Sequence, residues 1–116
     1  MEADDRRTDL DRLQDRALQI KDLYNELNLV QRGRSWTHEE FMLGFTGDVG
    51  DLAKLVMAQE GAREMPGGMS ALAHELADCL WSVLILANVY DVDLAAEFHR
   101  TMDEPSSVIR SQLDAS

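Results

Sequence analysis

Four acidic residues are arranged as two pairs, Asp48-x-x-Asp51 and Glu75-x-x-Asp78, each inside an otherwise apolar segment. On a helix, side chains three apart point to nearly the same side, so each pair can grip one object. Charges drawn into apolar surroundings cost free energy unless something pairs with them. Neither segment has enough basic residues for that, and a bound divalent cation would serve instead. Ligands that offer only oxygen select hard cations, which makes Mg²⁺ the natural guess and Mn²⁺ the second. The competing explanation is an ordinary solvated acidic face.

Other metal chemistries fit less well. A di-iron bundle needs Glu-x-x-His, and none of the three histidines has a glutamate three residues before it. His74-Glu75 resembles the start of a zinc-protease HExxH, but the second histidine is missing. His74 therefore reads as an exposed neighbour of the site, and His38 and His99 as surface residues near helix ends. No Ser/His/Asp or Cys/His arrangement is evident. Gly44, Gly47 and Gly50 do not precede GK[ST], so they form no phosphate loop and suit close helix packing or room for a ligand.

The pattern around these residues predicts four helices. The first runs from about Thr8 to Gln31, with apolar positions at Leu10, Leu13, Ala17, Ile20, Tyr24 and Leu27. That alternation of three and four residues is a seam for packing at a shallow crossing angle. Gly33 to Trp36 breaks the pattern, and Thr37-x-x-Glu40 is a capping box for a second helix to about Glu60. Pro66-Gly67-Gly68 marks a loop, and Ser70 is positioned to cap a third helix reaching Tyr90. Asp93 caps a short fourth helix that stops before Pro105, since proline breaks a helix interior. No run alternates as a strand would.

At about 100° per residue, Phe41, Phe45, Val49, Leu52 and Val56 define the inward stripe of the second helix. Asp48 falls within it and Asp51 at its edge. The third helix has a stripe of Leu72, Leu76, Cys79, Leu80, Val83, Ala87 and Tyr90, with Glu75 and Asp78 away from it. Trp81, Ile85 and Leu86 also lie off that stripe, so this helix should be buried on two sides, with Asp78 sharing its second face with Ser82 and Ile85.

The 116 residues suffice for one domain, and at 45% hydrophobic content the chain should fold. Acidic residues outnumber Lys and Arg by 22 to 11, giving a net charge of -11. Such a field repels a nucleic-acid backbone, so a polymeric DNA or RNA partner is not expected. A free nucleotide carried with metal ions is not excluded, because the metals invert the local potential. Cys79, the single cysteine, reads as a small buried hydrophobe. The N-terminus has no export-signal pattern, and the apolar run Cys79 to Tyr90 is shorter than the roughly 20 residues of a membrane span. A cytoplasmic protein without a membrane partner is the expectation.

Gly47-Asp48-Val49-Gly50-Asp51-Leu52-Ala53, His74-Glu75-Leu76-Ala77-Asp78-Cys79-Leu80 and Val92-Asp93-Leu94 together resemble the all-α nucleotide pyrophosphohydrolases of the MazG type. Those proteins carry ExxE on one helix and ExxD on the next. The resemblance extends over roughly residues 10–104, and it sets residues 1–104 as a MazG-like helical domain and 105–116 as a tail able to form a short helix. It implies a four-helix bundle-like protomer completed as a homodimer or a dimer-of-dimers tetramer. It also implies Mg²⁺-dependent cleavage of a nucleoside triphosphate to monophosphate and pyrophosphate, as in clearing the nucleotide pool. Carried over by position, Asp48, Asp51, Glu75 and Asp78 become the metal ligands and catalytic carboxylates.

The chain departs from the family pattern in three places. Aspartates stand where the first motif usually has glutamates, and Gly47 stands where many members have a further glutamate. A Lys and an Asn that contact phosphates are missing around Thr101-Met102-Asp103, where Arg100 is the adjacent substitute. Trp36 is the first choice to stack on the base, with a core plug at a helix junction as its other reading, and Trp81 is assigned to a subunit interface. Two readings compete with an enzyme. One is a non-catalytic relative that binds a nucleotide or protein partner, and the other is a plain helical dimerisation module built on the Leu10–Leu27 seam.

Overall fold

The computed structural model describes residues 8–116. Residues 1–7, part of the stretch read above as lacking an export signal, lie outside it. Four helices follow one another: α1 (Asp9–Arg32), α2 (His38–Gln59), α3 (Gly68–Val89) and α4 (Leu94–Ala115), with no strand among the described residues. The all-α expectation holds.

Local chemistry sets most of the helix ends. The Thr8 hydroxyl accepts from the Asp11 N–H at 3.1 Å while the Asp11 carboxylate accepts from the Thr8 N–H at 3.0 Å. Thr37 and Glu40 repeat this box at α2, with the Glu40 carboxylate also taking both guanidinium arms of Arg34 at 2.7 and 3.0 Å. That pairing, with the help of the Thr37 N–H, lowers the Glu40 pKa to about 2. Gly33 closes α1 with a φ of 75°, its N–H bonded to the Leu29 carbonyl. Asp93 caps α4 through the Ala96 N–H at 3.2 Å.

Two helix ends differ from the sequence reading. Ser70 does not cap α3 but lies inside it, since the helix begins at Gly68 behind Gly67 and with no side-chain cap. Gly67 has φ 95°, and a Cβ there would stand 2.8 Å from the Ala71 Cβ, so only glycine fits this entry. The fourth helix does not stop before Pro105 but runs through it to Ala115. Proline removes one hydrogen bond at a local cost of about 3 kcal/mol, and the helical turns on both sides outlast that loss. They keep one apolar row, Leu94, Phe98, Met102, Ile109 and Leu113, across the proline.

The core lies where α3 packs along α2 and, less extensively, along α1. Ala17, Phe41, Leu84 and Ile85 are its buried centre, flanked by Leu10, Leu18, Trp36, Trp81, Val89 and Leu94. Two long-range bonds tie α1 to α3: the Trp81 indole N–H donates to the Ala17 carbonyl at 3.1 Å, and the Gln14 amide to the Leu84 carbonyl at 3.2 Å. Trp81 thus packs, half-buried, against the core and is anchored to α1. By length and mean hydropathy α3 could cross a membrane, yet it carries Glu75 and Asp78 and serves as the middle helix of this packing.

The helix faces also shift from expectation. On α2 the packed row is Phe41, Phe45, Asp48, Leu52 and Leu55, while Val49 and Val56 are exposed. On α3, Leu76, Leu80 and Tyr90 are exposed, and the packed side carries Glu75, Asp78, Ser82 and Ile85. Both rotations bring carboxylates further inward than the estimated angles did, because the packed rows follow the α2–α3 contact and not the most hydrophobic line.

The molecule measures 61 × 48 × 30 Å with a radius of gyration of 18.4 Å, against about 13 Å for a compact chain of this length. Beyond its Leu94 end, α4 adds little to the core, and Leu23, Val30, Phe98 and Leu113 stand exposed. Ile85, with no exposed surface, is the deepest side chain. Ile85→Ala should cost about 2–5 kcal/mol in urea unfolding, whereas an equally stable variant would place the core elsewhere.

Candidate metal centre and its cavity

Asp48 and Asp51 descend from α2 and Glu75 from α3, and one carboxylate oxygen from each lies within 4.8 Å of the others. Asp48 and Glu75 are half-buried and Asp51 is exposed, so the cluster opens to solvent on one side. The α2–α3 packing forces this meeting, since Asp48 sits mid-row between Phe45 and Leu52.

The electrostatics of the cluster are unfavourable as it stands. Burial first, and then the negative charges of Asp48, Asp78 and Asp51, hold the Glu75 carboxyl above its ordinary pKa. Its Oε1 is buried without a hydrogen-bond partner. A divalent cation among the three carboxylates would give that oxygen a partner and cancel the repulsion, and all-oxygen donors suit a hard ion. The residues present therefore fit such a group. The Cys79 thiol is likewise pushed up, by burial and then by Asp48, Glu75 and Asp78, so it stays a neutral, half-buried filler beside the cluster.

Asp78 does not join the three-carboxylate cluster. Its Oδ2 lies 3.2 Å from the Nε2 of His74 one turn earlier, and His74 itself is mostly exposed, as its sequence reading had it. Both residues line a cavity of about 770 Å³ that also reaches Asp48. Most of the rest of its wall is aromatic and aliphatic, with Ile20 and Tyr24 from α1, Trp36 from the connection, Phe41 and Phe45 from α2 and Trp81 from α3, while Glu40 and Ser82 add polar groups. Trp36 stacks on Tyr24 with centroids 5.3 Å apart and meets the edge of Phe41 at 5.4 Å, so it serves as junction plug and cavity wall together.

Arg100 is not brought to this place. It lies exposed on α4, paired with Glu97, and does not line the cavity. Two cations touch residues of the cavity wall: Arg34, bonded to Glu40, and Lys21, whose Nζ lies 5.6 Å from the centroid of Phe41. Tyr24 and Ser82 line the cavity without having been singled out as site residues from the sequence. Tyr24 was read as seam, and only the fold of α1 against α3 reveals the cavity that it borders. Gly44, Gly47 and Gly50 are exposed, and a Cβ at each would meet nothing within 4 Å, so no helix of this chain packs closely on them. Gly44 borders the cavity, in keeping with room for a ligand.

Residues 36–104, more than half of the chain, match the MazG nucleotide pyrophosphohydrolase domain. Among curated proteins and among solved structures, nothing matches.

A carboxyl raised above its ordinary value of 4.5 adds stability below that pH and withdraws it as the pH climbs through its folded value. Metal-free protein should accordingly lose the Glu75 contribution as the pH rises above 4.5, and Glu75→Gln should flatten this part of the profile. Thermal melts at pH 5 and 7, with and without Mn²⁺, check it. The wild type should gain most from Mn²⁺ at pH 7, and Glu75→Gln should lose most of that gain.

Proposed function

Because the chain belongs to the MazG nucleotide pyrophosphohydrolases, we propose that it hydrolyses a nucleoside triphosphate, ribo or deoxy, to the monophosphate and pyrophosphate. Mg²⁺ is the proposed cofactor and Mn²⁺ its substitute, in a family that is divalent-metal dependent and a chain that gathers three carboxylates. The observation that carries this reading is a carboxylate cluster adjoining an aromatic-walled cavity, which suits a charged phosphate end and a flat base.

Asp48, Asp51 and Glu75 hold the cation, and Asp78 completes the set by turning its carboxylate away from His74. When bound, the divalent ion neutralises phosphate charge and acidifies a water. The protein's own part is positional. Trp36 and Tyr24 offer ring faces to the base, while Phe41 and Trp81 fix those rings from behind. Lys21 supplies counter-charge near the cavity, in place of the Lys and Asn absent from α4. Arg100, held by Glu97, takes that part only across a subunit boundary.

We further propose a homodimer or a pair of dimers acting in the cytoplasm on surplus or non-standard nucleotides. The extended shape and the exposed Leu23, Val30, Phe98 and Leu113 support a second copy as the missing cover. A second functional reading, nucleotide binding without turnover, is favoured by one observation: Asp78 stands against His74, outside the cluster.

Pyrophosphate release from canonical and modified nucleoside triphosphates separates the two. The enzyme reading expects metal-dependent release that Asp48→Asn or Glu75→Gln lowers at least 100-fold, on the scale of a lost catalytic electrostatic contact. Silence across the panel from folded protein that still binds nucleotide would leave the binding module.

A further inference from the structure

The fourth helix carries more apolar surface than its place in the fold accounts for. Leu94 seats on the core at one end. The row then continues through Phe98, Met102, Ile109 and Leu113, and no described residue covers it. Those four side chains are between 45% and 68% exposed, and no residue of α4 is buried. At about 100° per residue they share a sector roughly 60° wide. Glu97, Arg100, Asp103, Glu104, Arg110 and Asp114 all lie outside that sector, and the positions that border it, Thr101, Ser106 and Gln112, carry no charge.

The row is also self-complementary. Phe98 and Leu113 lie equally far from the Pro105–Ser106 centre, and so do Met102 and Ile109. A two-fold contact asks for this, because each copy must offer the same patch to the other. Laid antiparallel, Phe98 meets Leu113 of the partner subunit and Met102 meets Ile109 of the partner subunit. The short side chains of Pro105 and Ser106 stand at the axis and let the helices approach. Chains of net charge -11 repel one another, so identical copies meet most favourably along a face without charge. A lipid surface suits α4 less well. Amphipathic helices hold to anionic headgroups through Lys and Arg, and α4 has four acids against two arginines.

We propose that α4 is a dimerisation arm, pairing antiparallel from Phe98 to Leu113 with α4 of a second copy about a two-fold axis at Pro105–Ser106. This rests on the homodimer reading given above and deepens it by naming the face and its register.

Sedimentation equilibrium of the full chain tests the face, and chemical cross-linking tests the register. The wild type should be a dimer. Met102→Glu combined with Ile109→Glu, both at exposed positions, should weaken it at least about 100-fold, the scale of like charges forced together. Circular dichroism should show the helical content of that variant unchanged. Phe98→Cys protein mixed with Leu113→Cys protein should be joined by a short bis-maleimide. Neither variant should join to itself, because equal positions lie about 22 Å apart along the axis. Cys79 is common to every protein, and the wild type sets its background. Self-joining of either variant, the sign of parallel pairing, overturns the proposal. A dimer that survives both glutamates overturns it too, and leaves the homodimer standing on another face. A monomeric wild type removes both readings, and its flotation with phosphatidylglycerol vesicles would assign the row to a lipid surface.

Discussion

Mutual repulsion among carboxylates that the α2–α3 packing brings together is the constraint from which the rest follows. Asp48 occupies a position on the packed row of α2 that would ordinarily carry an aliphatic side chain, and Glu75 meets it from α3. The chain accepts the cost of a half-buried negative cluster with a partnerless oxygen, although apolar residues at those positions would make a more stable hairpin. The aromatic cavity next to the cluster, with walls from α1, α2, α3 and the α1–α2 connection, shares Asp48 with it.

Much of this was legible in the sequence. The capping box at Thr37, the break at Gly33 and the Asp93 cap are local chemistry, so the helix order followed from them. The acidic pairs stood out because charge in apolar helices is costly. The resemblance of the two motifs to the MazG type agrees with the domain matched at residues 36–104. What could not be read was decided by packing between distant segments. Val49 and Asp48 are neighbours, and only contact with α3 determines that the aspartate, not the valine, turns inward. The same applies to Leu76 and Leu80, which are more hydrophobic than Glu75 yet face outward. Pro105 misled for a different reason, since one missing hydrogen bond does not outweigh helical turns on either side of it.

The division of labour along α3 links the fold to the chemistry. Successive turns present Glu75 to the cluster, Asp78 to the cavity mouth, Trp81 to α1 and the aromatic wall, and Ile85 to the core. One rigid rod therefore sets the spacing between the carboxylate cluster and the ring system that lies beside it. This arrangement explains why the middle helix is both the most hydrophobic element and the carrier of two acids.

The central claim is that Asp48, Asp51 and Glu75 together hold a divalent cation. Anomalous diffraction from crystals grown with Mn²⁺ tests it most directly. The account predicts a manganese peak between those three carboxylates at oxygen-ligand distances, lost in Glu75→Gln crystals. Carboxylates that remain clustered around water alone at saturating Mn²⁺, or manganese bound only elsewhere on the surface, would contradict it.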